Sequence, residues 1–369
     1  MPFADELIGP ATARRLAEAI GAAAVTAVPA LDAAAQTLGD LALRERADLL
    51  RDALLDDIAG DYRRFADIVR TAHRSDPDFT GWLLWPVTCA VATKAVDEGT
   101  DGVFDDAMAL LADLTGGLTS EFAIRILLRH NLDRALATIA TWTSAPDVAV
   151  RRLASEGTRP YLPWSLRVPG IIARPGVTVP LLDALYRDSS QDVRRSVANH
   201  VNDLGRDHAE LAVELAARWL AAPDEHTAAV IRHGLRTLVK RGHPGALEIL
   251  GFAPASITVD GPTVDPARIP MGGSVRFSAT IRNVGDEPAR LAIDYVVHHR
   301  KANGTLSPKT FKLTTATLPA GDAVDVGREH SFRPITTRRY HAGTHAISLQ
   351  VNGVMTEPAV FELDPAPSR

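Results

Sequence analysis

The hydrophobic rhythm of this chain changes once, near residue 250, and that change limits the folds open to it. Before it, LRERADLLRDALLDDI (43–58), FDDAMALLADL (104–114), EFAIRILLRHNLDRALATIATW (121–142) and HAELAVELAARWL (208–220) place apolar residues three and four apart, the spacing of one helix face. From Ser256 onward the segments SITVDGPTV, SVRFSATIRNVG, ARLAIDYVVHH, KTFKLTTATL, HAISLQVNGV and AVFEL are short and rich in β-branched residues. They alternate every second residue and break at Gly, Pro and Asn-Gly turns, as strands do. Neither rhythm suits the secondary structure of the other. The expected fold class is multidomain, α then β: helices over 1–250, a linker GFAPAS at 251–256, and a β domain over 257–369. About 110 residues of the second pattern suit a small immunoglobulin-like β-sandwich. The disulfide of that fold is missing, since Cys89 is the only cysteine.

The helical part repeats itself. PDVAVRRLASEG (146–157), SQDVRRSVANHVNDLG (190–205) and HTAAVIRHGLRTLVKRG (226–242) each start at a polar break and run into a Val/Ile-Arg core. Arg151, Arg194 and Arg232 become equivalent, 43 and then 38 residues apart. That period fits a HEAT-like helix pair, and stacked pairs make a solenoid with a concave surface. Residues four apart share a helix face. Three lines result: Arg152–Glu156, Arg195–Asn199–Asp203 and His233–Thr237–Arg241. Set side by side by the repeat, they form a polar stripe with carboxylates at its centre and basic flanks.

Charge agrees with that stripe. The net charge of −5 by itself argues against nucleic acid, but it is unevenly spread. Residues 1–120 hold ten Lys and Arg against twenty Asp and Glu, whereas residues 121–250 hold seventeen against fourteen. The acid is gathered in the first third, and the rest can carry a basic face. The opening MPFADELIGP lacks the basic flank and apolar core of a signal peptide. No run of 18 apolar residues suggests a membrane span. A cytoplasmic protein without membrane contact is expected, as a monomer. No Walker loop, His-Glu-x-x-His, Cys-x-x-Cys or Gly-x-Ser-x-Gly occurs, so neither a metal nor a cofactor is expected. His298-His299 would point to opposite faces of a strand, which makes a metal site there improbable.

Each candidate residue has two readings. Glu156 is either a solvated partner of Arg152 at i, i+4 or a carboxylate for chemistry. Asp203 sits near a helix C-terminus, where the dipole disfavours an acid. Glu121 follows Leu118-Thr119-Ser120 at a helix start, where the dipole favours one. Trp164, after Pro160 and Pro163, is either a core plug or a ring held at a groove edge, where its face attracts cations. Arg152, Arg159, Arg194, Arg195, Arg236, Lys240 and Arg241, with Asn199 and His233, make either a solvated face or a phosphate track. In the β domain, His298-His299-Arg300-Lys301 and the Asn303-Gly304 turn are either an ordinary surface hairpin or a further binding element.

LIGPATARRLAEAI, LTSEFAIRILL, RRLASEGTRPYLPW and DVRRSVANHVNDLG resemble the AlkC branch of bacterial DNA alkylation-repair glycosylases. These are HEAT-like repeat proteins, and one subgroup carries a C-terminal immunoglobulin-like domain. The resemblance covers most of residues 1–250. It is most specific around 119–125 and 151–164, because DVRRSVA is common among HEAT proteins. Two positions depart from the family pattern: Ile126 stands where a proline is frequent, and Tyr161 where a basic residue is.

The resemblance implies excision of cationic alkylated bases from double-stranded DNA. 3-Methylcytosine and 1-methyladenine are the first candidates and 3-methyladenine the next. Lesion recognition would come by bending the duplex rather than flipping the base. Glu121, Glu156, Trp164 and Asp203 are the site residues it carries over. On that reading Glu156 stabilises the sugar cation, Asp203 works on water or sugar, Glu121 assists and Trp164 faces the nucleotide. No lysine occurs in 121–239, so a Schiff-base lyase step is not expected and hydrolysis would leave an abasic site. The competing reading is a non-catalytic HEAT scaffold that binds DNA or a protein, with the same carboxylates as surface charges.

Overall fold

The computed structural model describes residues 4–335 and 338–365. It is helical up to Ile249 and stranded from Ile257. By packing, the chain forms two compact units. One runs to Leu204 and includes Pro223–Gly234; the other comprises Gly205–Ala222 and the chain from Leu235 onward.

In the first unit, helices Val148–Glu156, Gln191–Leu204 and Thr227–Gly234 pack in series. Their apolar faces meet through Leu153 and Ala154, then Val193, Val197, Val201 and Leu204, then Val230 and Ile231, all buried. Side chains from the polar breaks start two of them. Asp147 caps the first by accepting from the Ala149 amide at 2.8 Å, and Asp224 accepts from the Thr227 amide at 2.8 Å.

The aligned arginines explain the repeat motif. Arg151 donates back to the carbonyls of Ala145 and Pro146 at 2.8 and 3.0 Å. Arg194 does the same, five and six residues back, to Ser189 and Asp188 at 2.8 and 2.5 Å. Each satisfies carbonyls of the loop that precedes its helix. In the third repeat the expected continuous helix breaks. Thr227–Gly234 ends, Leu235 leaves helical geometry, and Arg236–Lys240 begins anew in the other unit. Gly234 lies so close to Val201 that an added Cβ would come within 3.1 Å of its side chain. The line His233–Thr237–Arg241 is therefore interrupted.

In the second unit the strands are β1 Ile257–Asp265, β2 Arg268–Ile269, β3 Ser274–Asn283, β4 Ala289–Arg300, β5 Leu306–Leu318, β6 Ala323–Ser331, β7 Gly343–Val351, β8 Val354–Met355 and β9 Ala359–Leu363. They form two sheets, ordered β1-β3-β6 and β2-β9-β7-β4-β5, with β8 paired to β7. Alternate residues of β3, β4 and β7 fill the core between them, among them Phe277, Ile281, Ile293, Tyr295, Leu349 and Val351. Segment 251–256 is tied to this unit: Arg290 stacks on Phe252 at 4.7 Å, and Asn352 donates to the Ala253 carbonyl at 2.8 Å.

His298 and His299 do point to opposite faces. His299 is buried against His330, Phe332, Tyr340 and His345, and His298 bonds Ser348 at 3.1 Å. Of the suspected β-domain contacts, His299 is thus unavailable for DNA. Lys301 and Asn303 remain exposed on the β4–β5 turn.

Candidate active site

Three segments of the first unit bring the carboxylates together. Glu121 lies in the turn before helix Ile124–His130, Glu156 is the last residue of Val148–Glu156, and Asp203 is next to last in Gln191–Leu204. All three are buried. Arg159, from the loop after Glu156, sits between two of them. Its Nη1 donates to Glu156 Oε1 at 2.6 Å and its Nε to Asp203 Oδ2 at 2.9 Å. Arg152 closes the cluster, with Nη1 on Glu121 Oε2 at 3.0 Å and Nη2 4.0 Å from Glu156 Oε1. The Tyr161 amide donates to Asp203 at 3.3 Å, and Thr119 donates its hydroxyl to Glu121 at 2.9 Å.

The electrostatics are those of charges held out of water. Burial raises the Glu121 carboxyl above the usual glutamate range; Arg152 and Thr119 pull it down and Glu156 pushes it further up. Burial alone would lower the Arg159 guanidinium, but Glu156 and Asp203 outweigh it and hold the charge in place. A third guanidinium, Arg125, also acts electrostatically on Asp203 and Glu121.

Trp164 is 45% exposed, with its backbone in the left-handed region at φ 57°. It lines a small cleft with Trp85, Phe122, Ile126 and Leu166, beside Arg51 and Cys89. The cleft holds about 20 Å³, room for roughly one water. Trp85 and Phe122 stack at 4.0 Å in its wall.

The basic residues separate into groups. Arg159 is committed to the two carboxylates, and Arg194 to the carbonyls described above. Arg195 is exposed and lines a groove of about 530 Å³ with Gln191, Asn199, His226 and His233, where Asn199 and His233 are 3.0 Å apart. Arg236, Lys240 and Arg241 belong to the second unit, where Arg241 donates to the Arg206 carbonyl at 3.0 Å. At Tyr161, where the family pattern favours a base, the Arg167 guanidinium lies 4.6 Å over the ring.

Two residues of the site lay outside the sequence reading. Arg125 is fully buried beneath the loop, and burial, with Arg167 and Arg159 nearby, lowers its guanidinium to about 10. His200, also fully buried, links the carboxylate-bearing helices: its Nδ1 is 3.1 Å from the Ser155 carbonyl and its Nε2 3.1 Å from Thr178 Oγ1. Burial holds that ring neutral, at about 3. The sign in the sequence was a polar residue on an apolar face: Arg125 among Ile124, Leu127 and Leu128, and His200 among Val193, Val197 and Leu204.

Fold and site together define a helical-repeat protein with an arginine-bound carboxylate cluster and a C-terminal immunoglobulin-like domain. Comparison with known proteins makes the class specific. The family described as "Uncharacterised protein YhaZ, C-terminal Ig-like domain" matches residues 258–365. The Bacillus subtilis protein YhaZ is 32% identical over 327 residues, 88% of each chain. The Pseudomonas fluorescens alkylpurine DNA glycosylase AlkC, solved bound to DNA containing an abasic site analog, is 34% identical. The match covers 99% of this chain and 100% of that one, with a TM-score of 0.82. The chain belongs to the AlkC family of DNA glycosylases.

Among the described residues no helix is long and apolar enough to cross a membrane, and no group of three or more His, Cys, Asp or Glu side chains could hold a metal ion.

Proposed function

We propose that the protein is a monofunctional DNA glycosylase that hydrolyses the N-glycosidic bond of cationic alkylated bases in duplex DNA: 3-methyladenine, 1-methyladenine and 3-methylcytosine. One observation carries the reading: a single buried guanidinium, Arg159, holds Glu156 and Asp203 together within one unit. A scaffold gains little from that arrangement, because a buried ion cluster is often no more stable than well-packed apolar residues of the same volume.

Alkylation at a ring nitrogen makes the base a good leaving group, so no strong general acid is required. The barrier lies in the sugar, which becomes an oxocarbenium-like cation. A carboxylate fixed in a water-poor site stabilises that charge where it develops. Glu156 takes this role. Asp203, fixed by Arg159 and the Tyr161 amide, orients and deprotonates the attacking water. Glu121 adds field from the rim, and Trp164 offers its face to the nucleotide.

The duplex is bent at the lesion rather than the base extruded, because weakened pairing at a charged base makes that deformation cheaper. Arg195, Asn199 and His233 hold phosphates along the groove of the first unit, with Arg152 as a further contact there; Arg236, Lys240 and Arg241 are phosphate contacts of the second unit. The protein acts as a cytoplasmic monomer on the nucleoid and needs no cofactor.

The test is single-turnover release of free base from duplexes carrying each lesion, for wild type and Glu156→Gln. Release by wild type, lost in the variant with DNA binding kept, supports the reading. A wild type that binds DNA and releases none of the three bases overturns it and leaves the scaffold.

A further inference from the structure

The loop 157–166 carries Arg159, the Tyr161 amide and Trp164, yet it has little regular structure of its own. What holds it is a side chain from another helix. Arg125 Nε donates to the Leu166 carbonyl at 2.6 Å, and its Nη1 to the carbonyls of Gly157 and Arg159 at 2.9 and 2.7 Å. One guanidinium therefore grips the loop at both ends. Gly157 completes the junction: a Cβ there would come within 2.6 Å of the Ile124 side chain, so the loop start lies flush on the helix that carries Arg125.

Arg125 is 0% exposed, and its Nη2 is buried with no hydrogen-bond partner among the described residues. An unpaired buried donor opposes folding. A core built for stability alone is better served by an apolar residue at this point.

Resting on the glycosylase reading, we propose that Arg125 is a positioning residue for base excision: it fixes the 157–166 loop so that Arg159 stays between Glu156 and Asp203 and Trp164 stays at the rim. It acts through the loop and needs no contact with substrate. A lysine keeps the charge but cannot reach three carbonyls from one planar group.

The experiment compares full-length wild type, Arg125→Lys and Ile139→Val, the last a buried control in helix Leu132–Trp142 chosen to match any loss of thermal stability. Two quantities are read: dissociation constant against single-turnover rate on lesion duplex, and amide hydrogen exchange over 157–166. We expect Arg125→Lys to slow base release by about ten- to hundredfold while the dissociation constant changes less than about threefold. Exchange should quicken in 157–166 and stay unchanged in 191–204. Equal losses in rate and affinity, the same rate loss in Ile139→Val, or unchanged exchange over the loop would each overturn the assignment. If wild type releases no base, the glycosylase reading falls, and the exchange pattern alone decides what Arg125 does.

Discussion

Replacing Arg159 by methionine tests the centre of this site. The change keeps much of the side-chain volume and removes the charge. Glu156 and Asp203, whose side chains are 8% and 7% exposed, lose their bonds at 2.6 and 2.9 Å. Stranding a buried charge costs about 3–5 kcal/mol. Arg152, 4.0 Å from Glu156, and the Tyr161 amide, 3.3 Å from Asp203, remain as partial compensation. The lower end, about 3 kcal/mol at pH 7.5, is expected, a shift of about 6–12 °C in a unit of this size. Four of the five tryptophans lie in the first unit, so fluorescence-detected urea unfolding reports on it. A deficit below about 1 kcal/mol at pH 7.5, the size of an exposed pair, would refute the argument that these charges are buried together.

Arg195→Ala should weaken DNA binding and lower the slope of log affinity against log salt by about one, whereas Arg194→Ala should leave the slope alone and cost about 1–2 kcal/mol of stability. Anisotropy titrations over a range of salt, with urea unfolding beside them, separate the two. Because the Glu121 carboxyl is raised by burial, it loses its charge at a higher pH than an ordinary glutamate as conditions turn acid. Base release by wild type should decline there, and Glu121→Gln should lack that limb in a rate profile from pH 5 to 8. Burial lowers His299 to about 3 and His330 to about 4. The unfolded chain then binds protons first, and stability is lost as pH falls from about 6.5 towards those values, by up to about 1.4 kcal/mol per pH unit for each ring. His299→Phe should flatten that dependence in denaturation at pH 7 and pH 5.

Much of this was legible in the sequence because periodicity reports burial. The change near residue 250 separates helices from strands, and the repeat register set Glu156 near Asp203. The register failed at Leu235. The Val-Ile-Arg motif of the third repeat looks like the others, and nothing in it marks the end of the helix at Gly234. The partners of Arg159 had no local signal, because its two carboxylates lie 3 and 44 residues away. Spacing gives the face of a helix, but not that the long Arg194 side chain turns back onto the loop before it. The shift of helices Ala209–Leu220 and Pro244–Ile249 into the second unit had no local signal, because their amphipathic pattern does not say which neighbour covers it.

The left-handed backbone at Trp164 has a thermodynamic consequence. A residue with a side chain resists that conformation by about 1–2 kcal/mol, so the indole is displayed against the local preference of the chain. Pro163 fixes its own φ in front of Trp164, and the Leu166 carbonyl behind it is held by Arg125, so the chain on either side of the turn has little freedom. A ring already fixed before DNA arrives has little motion left to lose on contact. Loosening it with Pro163→Ala should therefore appear in calorimetry as a less favourable binding entropy, with the enthalpy of the contact almost intact.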